Sequence, residues 1–420
     1  MASTSLSPSP ALRPRNELVA WRNAIFVIFT LSGLSIATWA ARLPEIKSNL
    51  DVSTGSIGIL ILGMSVGSIL GLMASAALLV RLGARSGMVL ALSLVSVGLV
   101  LIGIGAGVVF SPVLVFVGLA LFGFGNGTVD VMMNVEGAAA ETELGKTVLP
   151  LMHACFSLGT VIGAAIGAAA SVLDIDVTWH AIAMAVLIAV TAIISVRFVP
   201  LRDELGDETP THSHTSDWKS RLRANLSVWT DVRLILIGVI MLGMAFAEGS
   251  ANDWLALATV EGHGQSEATG ALVFGVFVSA MTIGRVAGGP LIDRFGRVLV
   301  LQVSAVSAIV GLLVFILGPN LGVIVVGAVL WGLGSALGFP LGMSAAAEGA
   351  NAAARVSAVA MIGYLAFLVG PPLIGILGDY VGLLNALYVV LILVVLSGLA
   401  SPAAREHRRS SVEHADNPDA

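Results

Sequence analysis

The segment Gly289-Pro-Leu-Ile-Asp-Arg-Phe-Gly-Arg297 closes one apolar run of membrane-spanning length and opens the next. Half a chain earlier, Ala76-Ala-Leu-Leu-Val-Arg-Leu-Gly-Ala84 does the same in worn form. A tight basic turn repeated at that interval predicts a duplicated membrane domain built from two parallel repeats of six spans. Runs of about 20 apolar residues, enough to cross ~30 Å of hydrocarbon, place spans near 21–42, 55–80, 87–107, 112–136, 148–172 and 178–199. The second set falls near 232–257, 269–292, 298–317, 321–346, 356–378 and 382–400. The expected fold is all-α, with twelve transmembrane helices in two pseudo-symmetric six-helix bundles, 21–199 and 232–400. The tails are 1–20 and 401–420, and 200–231 is the linker.

Charge supports the same reading. Charged residues make up 11% of the chain and hydrophobic ones 57%, against roughly a quarter charged in soluble domains. Of 21 Lys and Arg, only Arg42 and Lys47 fall in segments placed outside, and only Arg285 lies well inside a span. That positive-inside bias puts both termini in the cytoplasm, so an even number of spans is expected. The first twenty residues hold three prolines and no apolar signal-peptide core, so span 1 is expected to be an uncleaved anchor. The one cysteine, Cys155, cannot form an internal disulfide and reads as packing. The basic stretch from Trp218 to Arg233 reads either as an amphipathic helix on the anionic leaflet or as a solvated linker. Glycines four apart, Gly63, Gly67 and Gly71, then Gly159, Gly163 and Gly167, read as close helix packing.

Ionisable groups inside a bilayer are expensive, so they are site candidates by default. Asp130 on span 4 shares a helical face with Gly127 and Asn134. It lies roughly 10 Å or more from the end of its helix, where desolvation favours reversible protonation. On span 7, Glu248 and Asn252 share a face, and Asp253 is expected to point elsewhere, toward a rim ion pair with Arg42 that gates the outer side. Arg285 stands ~12 Å up span 8 from Asp293 and needs an acidic partner or an anionic substrate. His153 on span 5 reads as a packing residue or a proton relay. Trp39, Trp331 and Tyr364 are candidate aromatic cavity contacts, and Gly370-Pro371-Pro372 is a kink or hinge in span 11.

The Gly-x-Leu-x-Asp-Arg-x-Gly-Arg turn ending at Arg297 resembles the signature of the major facilitator superfamily. The resemblance implies that Asp293, with Arg294 and Arg297, holds an inner gate across the two halves. The first-half copy keeps Arg81 but has Val80 where the acid belongs. Gly125-Asn126-Gly127-Thr-Val-Asp130, followed by Asn134, resembles span 4 of the fucose:proton symporter branch, with Asp in place of that branch's Glu. By that likeness Asp130 couples the proton, with Glu248 and His153 as further candidates. Asn126, Asn134, Asn252 and Arg285 would meet substrate. Asn134-Val-Glu-Gly-Ala-Ala, Phe246 to Trp254 and Gly363 to Pro372 are similar to an uncharacterised bacterial inner-membrane branch related to the sugar permeases, which implies that location for this chain. Span 5 has Ala164 after Gly163, not the Pro of the drug:proton antiporter signature.

No phosphate loop, metal-ligand cluster or nucleophile–His–acid set is legible, so no enzyme, cofactor, metal or nucleic-acid role is expected. The expected activity is proton-coupled transport of a small polar solute, a sugar or related compound, by a monomer working through alternating access. A proton-driven exporter of metabolites or drugs, and a non-transporting sensor, remain as alternatives.

Overall fold

The computed structural model describes residues 14–146, 148–201, 230–348 and 352–405. The 200–231 linker expectation, including its basic stretch, falls mostly outside these residues. Among the described residues, eleven helices are long and apolar enough to cross a membrane. One of them, Thr54–Gly107, has 54 residues, about 80 Å of helix, more than twice the hydrocarbon thickness. It carries spans 2 and 3, which meet at Gly83, where φ is 73° and ψ 169°. Gly296 joins spans 8 and 9 with φ 77° and ψ 159°. The two turns of the sequence repeat thus share one backbone conformation, in a region that L side chains avoid. The duplication survives in the backbone although the acid of the first copy is gone.

The remaining spans are Arg15–Ala40 (span 1), Pro112–Leu144 (4), Leu149–Val172 (5), Val177–Ser195 (6) and Val232–Leu257 (7). They continue with Glu267–Phe295 (8), Arg297–Leu317 (9), Leu321–Ser335 with Gly338–Ala346 (10), Ala352–Val381 (11) and Leu383–Ala386 with Tyr388–Ala400 (12). Span 1 begins six residues before the sequence expectation, at Arg15, because Glu17 and Arg22 are tolerated in a helix end that lies beyond the apolar core. Side chains cap the helices where chemistry predicts: Ser53, Ser111, Asp176, Asp231, Ser266 and Asn320 each accept from a backbone N–H of the first turn.

Packing repeats between the halves. Span 1 lies on span 5 as span 7 lies on span 11, and span 3 on span 6 as span 9 on span 12. The glycine stripes explain the first half's closeness. A Cβ at Gly67 or Gly71 would strike the carbonyls of Ala120 and Phe124 on span 4, and one at Gly159 would strike the Thr30 carbonyl on span 1. Both stripes are therefore packing seams inside one half. Large apolar side chains such as Val186, Leu187, Val190 and Ile194 on span 6 stay exposed on the outside, a surface suited to lipid.

The halves meet along spans 2 and 11 and along spans 5 and 8, while spans 4 and 10 pack chiefly within their own halves. On the face away from the chain termini, the interface is sealed by polar contacts. Lys47 pairs with Glu261, Thr54 Oγ1 donates to Glu261 at 3.3 Å, and the Gly55 N–H donates to Asp379 at 3.0 Å. On the terminus face the charged clamp lies within the second half. Arg297 and Arg233 hold Glu348 at 2.8 and 3.1 Å, and Arg355 pairs with Asp231. Arg233 also reaches the Ala403 carbonyl at 2.9 Å, tying span 7 to the end of span 12.

Candidate functional site

A cavity of about 240 Å³ lies between the halves. The first half contributes Ile36, Trp39, Ser65, Ser68, Phe122, Asn126 and Asp130, among others, and the second contributes Gly249, Asn252, Asp253, Tyr364 and Phe367. The volume is below the roughly 300–1,000 Å³ of pockets for drug-sized ligands, so it suits a smaller solute.

Span 4 presents its polar face here because Gly123 and Gly127 let it press onto span 2, where a Cβ would meet the carbonyls of Met64 and Ser68. That contact turns Asn126 and Asp130 inward. Asn126 accepts from Ser32 Oγ at 2.9 Å. Asn134 stands one turn further along and donates to the Asp130 carbonyl at 2.8 Å, with its amide 3.5 Å from Asp130 Oδ1. Asn134 is therefore tied chiefly to span 4's own backbone and does not itself line the cavity. Trp39 closes the opposite wall. It is 3% exposed, its ring meets Phe122 edge-on at 6.5 Å, and its indole N–H has no acceptor among the described residues.

Span 7 departs from expectation. Asp253 lines the cavity beside Asn252, whereas Glu248 turns away to Arg285, 2.6 Å from its guanidinium. Arg285 decides this, since an unpaired guanidinium at that depth would be costly and Glu248 is the acid within reach. Arg285 also lies 3.5 Å from Ser157 Oγ of span 5, so the pair touches the interface of spans 5 and 8. The Gly249-Ser250 step does not break span 7, which runs unbroken to Leu257 and loosens into a π turn over Ala258–Gly262. His153 packs edge-on against Phe29 at 5.0 Å, outside the cavity.

Other expectations are corrected. Arg42 does not pair with Asp253. It is 1% exposed and bound to Glu45, three residues on, and to the Ile175 carbonyl, because the short helix Leu43–Leu50 folds Glu45 back over it. Trp331 does not reach the cavity. It is fully buried between Phe277 and Phe315, and its indole donates to the Ala247 carbonyl at 3.2 Å. Asp293, Arg294 and Arg81 are exposed at the two turns, while Arg297 is buried in the Glu348 clamp. Sequence reasoning missed Ser65, Ser68 and Phe367. A serine two residues from a glycine stripe is a weak signal, and only three dimensions place it at an interface. Among the described residues no group of three or more His, Cys, Asp or Glu could hold a metal ion.

Comparison with known proteins agrees with this architecture. The sequence model of the Major Facilitator Superfamily matches residues 25–364 and 255–418. An uncharacterised transporter, y4wD of Sinorhizobium fredii, is 30% identical over 399 residues, covering 93% of this chain and all of the relative. The nucleoside transporter NupG shares the fold with a TM-score of 0.68 at 14% identity, over 91% of this chain and 98% of that one. The fucose:proton symporter FucP of E. coli does so at 0.59 and 15% identity, over 94% of this chain and all of that one.

Proposed function

The chain belongs to the major facilitator superfamily of membrane transporters, and from its cavity we propose that it carries a small polar solute across the bacterial cytoplasmic membrane by proton-coupled alternating access. The observation that carries this reading is Asp130. A carboxylate inside the membrane faces a cavity between two pseudo-symmetric halves, with the Asn134 amide 3.5 Å from its Oδ1 and no basic side chain among the cavity-lining residues. Such a group releases its proton when water or substrate reaches it and takes one up when the cavity closes and dries.

The closed face, sealed by Lys47–Glu261 and Gly55–Asp379, is the periplasmic one in this reading, and both termini are cytoplasmic. The conformation is then the inward-open half of the cycle, which accounts for Asp293, Arg294 and Arg81 standing exposed. In the outward-open state Asp293 closes the inner gate. Sugars and related hydroxylated compounds fit the cavity's amides, serines and aromatic walls, and the carrier works as a monomer. Glu248–Arg285 fastens the second half beside the span 5–8 interface, and Arg42–Glu45 braces the outer end of span 1.

The test is a screen in proteoliposomes enclosing a pH-sensitive dye, with wild type beside Asp130→Asn, against sugars, polyols, nucleosides and organic acids. A solute-dependent pH change absent from the variant supports the proposal. A pH change that survives Asp130→Asn removes Asp130 from the coupling step.

A further inference from the structure

Asp253 is 9% exposed, lines the cavity, and makes no hydrogen bond or ion pair among the described residues. Its neighbour Asn252 also lines the cavity, with an amide that makes no hydrogen bond among the described residues. No Lys, Arg or His is among the lining residues, and the nearby guanidinium of Arg285 is already bound to Glu248. The cavity thus holds an acidic group from each half and no cation to answer either. Four aromatic residues, Trp39, Phe122, Tyr364 and Phe367, are among the lining residues, and aromatic rings favour a cation stripped of water.

A buried carboxylate without a partner is costly. One acid, Asp130, has a use in the proton reading. A cationic group on the solute would answer the second, and the cavity that it lines is of small-solute size. We propose that the transported solute is a small hydroxylated compound bearing one ammonium group, with the ammonium facing Asp253. Its hydroxyl oxygens accept from the Asn252 amide. This rests on the cavity being the transport site, and it narrows the solute from polar to cationic.

Ligand titrations of the purified full-length protein, read by intrinsic fluorescence, test the idea with matched pairs: glucosamine against glucose, galactosamine against galactose, and ethanolamine against ethylene glycol. The amine of at least one pair should bind about tenfold or more tightly than its hydroxyl counterpart, the advantage of one charge-assisted hydrogen bond. In Asp253→Asn that advantage should shrink to about twofold or less, while Asp253→Glu keeps the preference. Hydroxyl members binding as well as amines, no amine binding, or a preference that survives Asp253→Asn would each overturn it. The transporter reading fails separately. Proton-coupled uptake of a neutral member refutes the ammonium and leaves the carrier standing, whereas transport indifferent to both Asp130→Asn and Asp253→Asn refutes the cavity as the site.

Discussion

Ser65 Oγ donates to the Phe367 carbonyl at 3.0 Å, across the seam between the two halves. That carbonyl is free to accept because residue 371, which would have bonded it in an unbroken helix, is a proline without an N–H. The Pro371-Pro372 pair therefore does more than loosen span 11. It prepares an acceptor that span 2 reaches with the far face closed, and Gly58 makes room for the approach by lying against the Pro371 carbonyl.

Ser65→Ala removes this bond from the closed far face and should shift the population toward the opposite opening. One neutral hydrogen bond is worth about 0.5–1.5 kcal/mol, a roughly two- to tenfold change in the equilibrium. In a background with Cys155 replaced by Ser, a cysteine at Asn252 should label faster from the periplasmic side in Ser65→Ala than in the parent. Equal rates would show that the bond does not bias the cycle.

Glu248 and Arg285 stand or fall together. Removing either leaves a buried charge without its partner, at a cost of about 3 kcal/mol or more. Glu248→Gln and Arg285→Gln should each lower the thermal midpoint in detergent, and the double variant should recover part of the loss. Additive losses would mean that the two are not energetically paired.

The clamp on the terminus face predicts the acid limit of stability. Partial burial raises the Glu348 carboxyl, but hydrogen bonds from Arg297 and Arg233 outweigh it and leave the group below its ordinary value. The Arg355 hydrogen bond likewise holds Asp231 low. Groups with depressed folded values stabilise fully above their unfolded pKa, about 4, and lose that contribution as pH falls through the lower folded value. Thermal stability should therefore be flat from pH 7 to 5 on this account and decline below about pH 4. Glu348→Gln should be less stable at neutral pH and show a shallower acid decline. A variant with an unchanged acid decline would place the sensitivity elsewhere.

Gly159→Val tests the span 1–5 seam. Its side chain would collide with the Thr30 carbonyl, and overpacking of this kind costs about 1–3 kcal/mol. Melting of the purified variant should fall accordingly, whereas Gly289→Ala, which has open space around it, should not lower it.

The fold was readable because its causes are local. Apolar run length, the turns at Gly83 and Gly296, and the Ser and Asp caps each act within a few residues. The site was only partly readable, because it depends on which of two neighbours faces inward. Glu248 and Asp253 both sit on span 7, and helical spacing favoured Glu248 beside Asn252. The choice is made by Arg285 on another helix, a contact invisible in one dimension. Trp39 and Trp331 carry the same composition signal, yet Phe277 and Phe315 bury one while the cavity keeps the other. Asp130 was legible because a lone acid with an Asn one turn away has few structural uses inside a membrane.

The most direct test of the central claim separates exchange from net movement. With the solute found in the dye screen, wild-type proteoliposomes should show both solute exchange and proton-driven accumulation. Asp130→Asn should keep exchange at a comparable rate while losing accumulation and its pH change. Accumulation that persists in the variant would contradict the assignment of proton coupling to Asp130.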